Sequence, residues 1–176
     1  MNIYGERIVL RAITEEDAQL LLQMMNDPDT ERMLGGASFP VSLSAQRSWI
    51  QRQIGNNEVL RCIIAERSRE DVGLGTVILT DIDQKNGSAQ VHIKLGVENC
   101  RGKGYGTDAL RTIVKYAFEQ MRLHCIYANV LEYNTASQKL FEKCGFHKDG
   151  LLRGRIFKGG NYINMVTYSC LEEDMK

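Results

Sequence analysis

Arg101-Gly102-Lys103-Gly104-Tyr105-Gly106-Thr107 stands between a strand-like apolar run and the most regular amphipathic helix of the chain. Its three glycines fall within five residues, so the backbone can take positive φ and approach a ligand with no Cβ in the way. The first N–H groups of the helix that starts here lack an internal acceptor, and with the helix dipole they favour an anion. Arg101 and Lys103 add positive charge at the same point. This is the chemistry of a phosphate or pyrophosphate cradle; the plainer alternative is a glycine-rich turn that only redirects the chain. Two familiar cradles do not fit. A dinucleotide turn has G-x-G-x-x-G after the first strand of its unit, whereas the spacing here is G-x-G-x-G, in mid-chain, behind a run of strands. A P-loop needs G-x-x-x-x-G-K-[ST], and Lys103 is misplaced for it with no hydroxyl after it.

Outward from this loop, hydrophobic period assigns the elements. Leu110, Ile113, Val114, Ala117, Phe118 and Met121 recur at helical spacing as one apolar stripe. Upstream, 59–66, 72–80 and 88–97 read as strands, with Asn86-Gly87 as a hairpin turn because both residues tolerate positive φ. Near the start, Ile8, Leu10 and Ala12 alternate with Arg7, Val9 and Arg11 as an opening strand. Thr14 followed by Glu15, Glu16 and Asp17 marks a helix start, with acids at the positive end of the dipole. Ala18, Leu21, Leu22 and Met25 continue that helix until Asn26-Asp27-Pro28 stops it. A second helix begins near Ser42 or Ser44, carries Trp49, Ile50 and Ile54, and closes at Gly55-Asn56-Asn57. Beyond the central helix, 125–130 is a short buried-type strand and 134–144 a helix with Leu140, Phe141 and Cys144 on one face and Gly145 as its stop. Two last strands flank Lys158-Gly159-Gly160-Asn161 and end near Cys170. The order βααβββαβαββ specifies a single α/β (α+β) domain over 1–176, a mixed sheet with helices on both faces.

The chain has 176 residues, 43% hydrophobic and 25% charged, enough for one globular core. With 22 Lys and Arg against 22 Asp and Glu, no global charge draws it onto nucleic acid or a membrane. No apolar run approaches the ~18–20 residues of a membrane span. The charge is uneven, however: residues 101–158 hold 11 basic and 5 acidic side chains, and the remainder is acidic by the same excess. A basic centre beside an acidic flank suits an anionic ligand held with a cationic one, although solvated surfaces also produce such swings. Cysteines at 62, 100, 125, 144 and 170 form no Cys-x-x-Cys, and their odd number argues against a closed disulfide framework. His92, His124 and His147 are as scattered, so no metal site is expected. Residues 1–11 lack the basic-then-apolar order of an export signal, and a cytoplasmic location is the expectation.

Arg101, Gly104 and Gly106 fill the pattern [QR]-x-x-G-x-[GA], and the loop thereby resembles the signature of the GNAT superfamily of acyl-CoA-dependent N-acyltransferases. Downstream, Tyr133-Asn134-Thr135-Ala136-Ser137 and Leu140-Phe141-Glu142-Lys143-Cys144-Gly145-Phe146 resemble the family's N-x-x-[AS] and L-[YF]-E-K-x-G-F block. Arg7 to Asp17 is similar to the L-R-x-x-x-x-x-D opening of the RimJ/RimL-type and spermidine-acetyltransferase-like branch. Gly150-Leu151-Leu152-Arg153 and Gly160-Asn161-Tyr162 resemble its C-terminal hairpin. The likeness runs in order along essentially the whole chain.

The resemblance implies a mostly antiparallel sheet splayed between 88–97 and 125–130, the fourth and fifth strands of that order. It implies acetyl-CoA as co-substrate, no metal, and transfer of acetyl to a primary amine of a polyamine or amino sugar, or to a protein N-terminus. Backbone groups around Leu95 and Gly96 would bond the pantetheine arm and thioester; Arg101, Gly102, Lys103, Gly104, Tyr105, Gly106 and Thr107 would hold the pyrophosphate. Asn134 and Ser137 would reach the pantetheine, and Phe141 lies in the same block; for Asn134 a plain helix N-cap is the alternative. Relatives in this branch often associate, so a homo-oligomer is also implied. Two features depart from the pattern. Phe141 stands where the thiolate-protonating tyrosine is usual, and Arg155 and Ile156 occupy the place of a carboxylate that some relatives carry. His92, Glu98 and Glu132 are the candidate bases, His92 having a suitable intrinsic pKa. Phe141 also motivates a different class of function, a catalytically idle CoA-binding sensor or interaction module.

Overall fold

In the computed structural model, which describes residues 1–35, 39–56, 58–96, 100 and 102–175, the chain opens with β1 (Ile3–Tyr4) and β2 (Ile8–Arg11). A 3-10 turn (Glu15–Asp17) leads into α1 (Ala18–Asn26), α2 (Pro28–Arg32) and α3 (Leu43–Gln53). Then come β3 (Leu60–Glu66), β4 (Arg69–Asp83), β5 (Ser88–Leu95), α4 (Tyr105–Glu119), β6 (Cys125–Leu131), α5 (Thr135–Lys143), β7 (His147–Lys158) and β8 (Asn161–Leu171), with a closing 3-10 turn (Glu172–Met175). The strands form one eight-stranded sheet in the order β1-β2-β3-β4-β5-β6-β8-β7. Every neighbouring pair is antiparallel except β5 and β6, which run parallel. The mixed, mostly antiparallel fold read from the sequence is therefore the fold observed.

The differences are local and have physical causes. Asn26-Asp27-Pro28 does end α1, but it also starts α2. The Asp27 carboxylate accepts from the amides of Asp29 (3.3 Å) and Thr30 (3.1 Å), and Pro28 takes the first helical position, where a missing N–H costs nothing. β1 is a two-residue edge strand paired as Ile3↔Leu10 and Tyr4↔Val9, too short for period to reveal. β4 extends beyond 72–80 because the Glu66↔Arg69 pairing closes a tight hairpin at its start. At its far end the Asp83 carboxylate accepts from the amides of Lys85 and Asn86, with Gly87 at φ +69°.

Strand alternation divides the core into two layers. Cys62 and Ile64 of β3 pack towards α4 with Ile8, Leu10, Val91, Ile126 and Tyr168, whereas the intervening Ile63 packs with Ala18, Leu21 and Ile50 of α1 and α3. Helices thus cover both faces. The α1 side is tied to β2 by an ion pair. Arg11 Nη1 and Nη2 each donate to an Asp17 carboxylate oxygen at 2.8 Å, and the Thr14 amide donates to the same carboxylate at 2.8 Å. The Asp17 side chain is 3% exposed. Burial alone would raise its pKa, but the Arg11 bonds and the Thr14 amide prevail and hold it below the ordinary value of 3.8.

Because the folded-state pKa of Asp17 lies below that of the unfolded chain, its contribution is complete above the ordinary carboxylate value and is lost as pH falls through the lower, folded one. Arg11→Met, which leaves the carboxylate buried without its partner, is expected to cost about 3 kcal/mol in chemical denaturation at neutral pH. The stability gap between the native chain and Asp17→Asn should narrow as pH falls from about 5 to below 3.8; a gap that stays constant would contradict the pairing.

Candidate active site

β5 and β6 share only three paired positions, Ser88↔Cys125, Ala89↔Ile126 and Gln90↔Tyr127. Beyond them β5 keeps its pairing with β4 as far as Gly75↔Leu95, and β6 keeps its pairing with β8 as far as Leu131↔Met165. The two strands therefore part, each held by its outer neighbour, and turn unpaired backbone edges towards the gap. The Gly96 amide donates to Leu74 O at 2.9 Å on the β4 side. Since N–H groups alternate sides along a strand, Leu95 and Ile93 turn theirs to the gap. Exposed edge groups of this kind require polar partners.

The N-terminus of α4 closes one end of the gap. Gly104, its N-cap, sits at φ +85°, and Gly102 at φ +75°, conformations that a Cβ would strain. Among the described residues the Asp108 amide is the first of α4 to find a partner, donating to Gly104 O at 3.0 Å; the amides before it belong to the first turn, which has no acceptor within the helix. The Asp108 carboxylate accepts from the backbone amides of Glu6 (3.1 Å), Arg7 (2.7 Å) and Ile8 (3.1 Å), pinning α4 to the start of β2. Arg7 Nη1 donates to Lys103 O at 2.7 Å, and its guanidinium lies 4.8 Å from the Tyr105 ring centre. Tyr105 Oη donates to Glu66 at 3.0 Å. The loop is thus anchored from behind, through the Lys103 carbonyl and the Tyr105 side chain.

The resulting cleft has a volume of about 500 Å³. Ile93, Lys94 and Leu95 line it from β5; Gly102, Gly104, Gly106 and Thr107 from the α4 loop; and Asn134, Ala136, Ser137, Lys139, Leu140 and Lys143 from α5. Asp29, Thr30, Met33 and Leu34 close the remaining side. A Cβ on Gly106 would stand 3.5 Å from Leu95 and 3.7 Å from Leu140, so the space a larger side chain would take is the floor of the cleft. Asn134 Oδ1 accepts from the Ser137 amide at 3.1 Å, which makes it the N-cap of α5, while its Nδ2 donates to Met33 O at 3.1 Å. Lys94 Nζ donates to Met24 O at the C-terminal end of α1. Burial lowers its pKa against an opposing pull from Asp27. A larger groove of about 800 Å³ runs between residues 1–7 and the outer face of α4, past Arg7, Arg111 and Lys115. It meets the cleft at Gly104, Thr107 and Lys143 but holds no divergent strand edges.

Of the residues expected from sequence, Leu95, Gly102, Gly104, Gly106, Thr107, Asn134 and Ser137 come together in this cleft. Lys103, Tyr105 and Gly96 flank it, committed as described. Arg101 and Glu98 lie outside the described residues. Phe141 is 3% exposed, edge-on to Phe146 (ring centres 5.0 Å) and stacked on Tyr168 (6.2 Å), away from the lining. Tyr168 Oη bonds to Gln138 and Glu142; burial and then the Glu142 bond push its pKa up to about 12. His92 Nε2 lies 2.9 Å from Thr80 Oγ1; desolvation of the ring lowers its pKa even though part of the residue meets solvent, and Asp81 pulls the other way. The Glu132 carboxylate accepts from Asn164 Nδ2 at 2.8 Å. Neither His92 nor Glu132 belongs to the cleft lining. Asp29, Thr30, Met33, Leu34 and Lys94 do; the loop from Met33 to Val41 is one expected to set the acceptor, whereas local sequence pattern does not single out Asp29, Thr30 or Lys94, and the acidic 27–31 segment reads as a solvated face.

No helix of the described residues is long and apolar enough to cross a membrane. Residues 7–147 match the model of the acetyltransferase (GNAT) domain family. The chain is 32% identical to the N-acetyltransferase p20 of Bacillus licheniformis over 98% of its own length and 97% of the relative's. It is 30% identical to the spermidine N(1)-acetyltransferase of Vibrio cholerae, covering 96% and 95% of the two chains. Its fold superposes on the crystal structure of spermidine N-acetyltransferase from Vibrio cholerae, solved with CoA and spermine, with a TM-score of 0.87 at 22% identity over 97% of this chain and 99% of that one. The parted strands, the glycine-built helix start and the match along the chain have one explanation: the protein is an N-acetyltransferase and belongs to the GNAT acetyltransferase family.

Proposed function

We propose that the chain, as one acyltransferase domain over 1–176, moves acetyl from acetyl-CoA to a primary amine of a small molecule by direct attack on the thioester, in the cytoplasm. The observation that carries this reading is the joining of two features in one cleft: the edge of β5 where it parts from β6, and the amides at the head of α4, which have no partner among the described residues. The edge groups of Ile93 and Leu95 suit the amides of an extended pantetheine arm, in the manner of an added strand. The amides at 104–107 suit its diphosphate, with Lys143 and Arg111 beside them. Asn134 keeps a second Nδ2 hydrogen for the ligand after serving Met33. A backbone donor at Leu95 stabilises the oxyanion of the tetrahedral intermediate, where charge develops out of reach of bulk water.

For the acceptor, the Asp29 carboxylate in the lining supplies a partner for an ammonium group. A small-molecule amine is favoured over a protein N-terminus because the 30%-identical Vibrio relative is named for spermidine, and Asp29 offers the charge such an amine needs. No metal is needed for this chemistry: an amine nucleophile and a thiolate leaving group supply both reacting electron pairs. Phe141 donates no proton, and the phenol stacked on it is a weak acid turned away from the cleft. The attacking nitrogen therefore loses its protons to water, one before attack and one as the amide forms, and water returns one of them to the departing thiolate.

Three outcomes test this. In a thiol-release assay with acetyl-CoA and a panel of polyamines, amino sugars and peptides, small amines should be turned over and peptides should not. Tight acetyl-CoA binding with no amine-dependent release would instead favour a sensor. Gly106→Val should weaken acetyl-CoA in calorimetry by tenfold or more, about 1.4 kcal/mol, with the fold intact by circular dichroism; unchanged affinity would count against the cradle. Phe141→Tyr should leave turnover within about twofold and lower stability by about 1–2 kcal/mol, because it buries a hydroxyl among aromatic rings; a large gain in turnover would show that the missing acid limits the native enzyme.

A further inference from the structure

The side of the cleft opposite the phosphate cradle is a strap, residues 28–35, and its hold on the rest of the molecule is unusual. Its helix α2 has five residues, too few to be stable alone. The N-terminal end is secured from within by Asp27. At the C-terminal end the carbonyls have no helical partner, and three successive ones are taken by side chains from the far wall. Tyr133 Oη donates to Arg32 O, Asn134 Nδ2 to Met33 O at 3.1 Å, and Lys158 Nζ to Leu34 O. Lys158 Nζ also pairs with Glu31 at 2.8 Å, with only 12% of its side chain exposed. Tyr133 and Asn134 stand where β6 passes into α5, and Lys158 ends β7, so the contacts join segments 101 and 124 residues apart. The same strap presents Asp29, Thr30, Met33 and Leu34 to the cleft.

We propose that Tyr133 and Lys158 are positioning residues that clasp this strap across the cleft, so that the acceptor wall and Asn134 move as one unit and acetyl-CoA and the acceptor strengthen each other's binding. The coupling rests on the acetyl-CoA site proposed above; the clasp itself does not. Asn134 is the shared part. Its oxygen caps α5, one Nδ2 hydrogen holds Met33 O, and a ligand taking the other hydrogen fixes the side chain and, through it, the strap. By linkage the effect is reciprocal: an acceptor that orders the strap also orders Asn134 for acetyl-CoA. Tyr133 and Lys158 need touch neither substrate, since they act through the carbonyls of Arg32 and Leu34.

The test compares the native chain with Tyr133→Phe, Lys158→Met and the double variant. By hydrogen exchange without ligand, amides of the strap should exchange about tenfold faster in the double variant, while those of β6 stay unchanged. Lys158→Arg, which keeps a donor for Leu34 O, should restore slow exchange. Acetyl-CoA should slow strap exchange in the native chain but not in the double variant. The KM of the best amine of the panel should rise about fivefold with kcat within twofold. Unaltered strap exchange in the ligand-free double variant, or a fall in kcat with KM unmoved, would overturn the clasp. If acetyl-CoA gives neither heat of binding nor slowed exchange with the native chain, the acetyl-CoA reading and the coupling fall together, and the ligand-free exchange still decides the clasp.

Discussion

Two neighbouring strands that run parallel for three residue pairs and then separate impose everything else on this structure. A sheet can tolerate such a rift only if each strand keeps a partner on its other side, and β4 and β8 supply those partners along the full length of the rift. The backbone edges inside it remain polar and need hydrogen bonds. A site built from main-chain groups suits an extended, amide-bearing chain with little regard for side-chain identity.

The charges of the site follow the same division of labour. The end proposed to take the anion consists of helix amides with Lys139 and Lys143 nearby, and its loop is anchored from behind: Arg7 bonds the carbonyl of Lys103, and Tyr105 bonds Glu66. Anchoring through carbonyls and ring faces draws on none of the amides in front. At the opposite end the acids of the strap are partly occupied, Asp27 in capping α2 and Glu31 with Lys158, while Asp29 stands in the lining with an exposed pairing to Arg32. The acidic first third of the chain is therefore not one undifferentiated attractor for a polycation. Asp27 and Glu31 hold the strap, Asp17 is paired with Arg11, and Lys94 lies in the same wall, bound to the end of α1.

Much of this is legible in the sequence, for identifiable reasons. Period reveals α4 and β3 because each buries alternate or helical faces in a continuous core. The cradle is legible because glycine holds φ near +75° and +85° at 102 and 104 without the strain a Cβ would bring, so the conformational demand is written as residue type. The buried Arg11–Asp17 pair appears as a spaced motif for a similar reason, since a buried carboxylate needs its cation. What is not legible is what tertiary contact decides. The strap enters the cleft from about a hundred residues away in sequence, and nothing local distinguishes Asp29 from a solvated acid or Lys94 from an exposed lysine. Phe141 illustrates the limit of motif transfer: its place in the L-[YF]-E-K-x-G-F block is clear, yet its ring lies between Phe146 and Tyr168 in the core.

Assigned amide spectra of the native chain, titrated with acetyl-CoA, test the central claim most directly. If the rift and the helix start form one binding surface, the amides of Gly104, Tyr105, Gly106 and Thr107 shift together with those of Ile93 and Leu95. Shifts confined to the outer face of α4, around Lys115 and Glu119, with the strand edges unmoved, would place the ligand in the neighbouring groove and contradict the account.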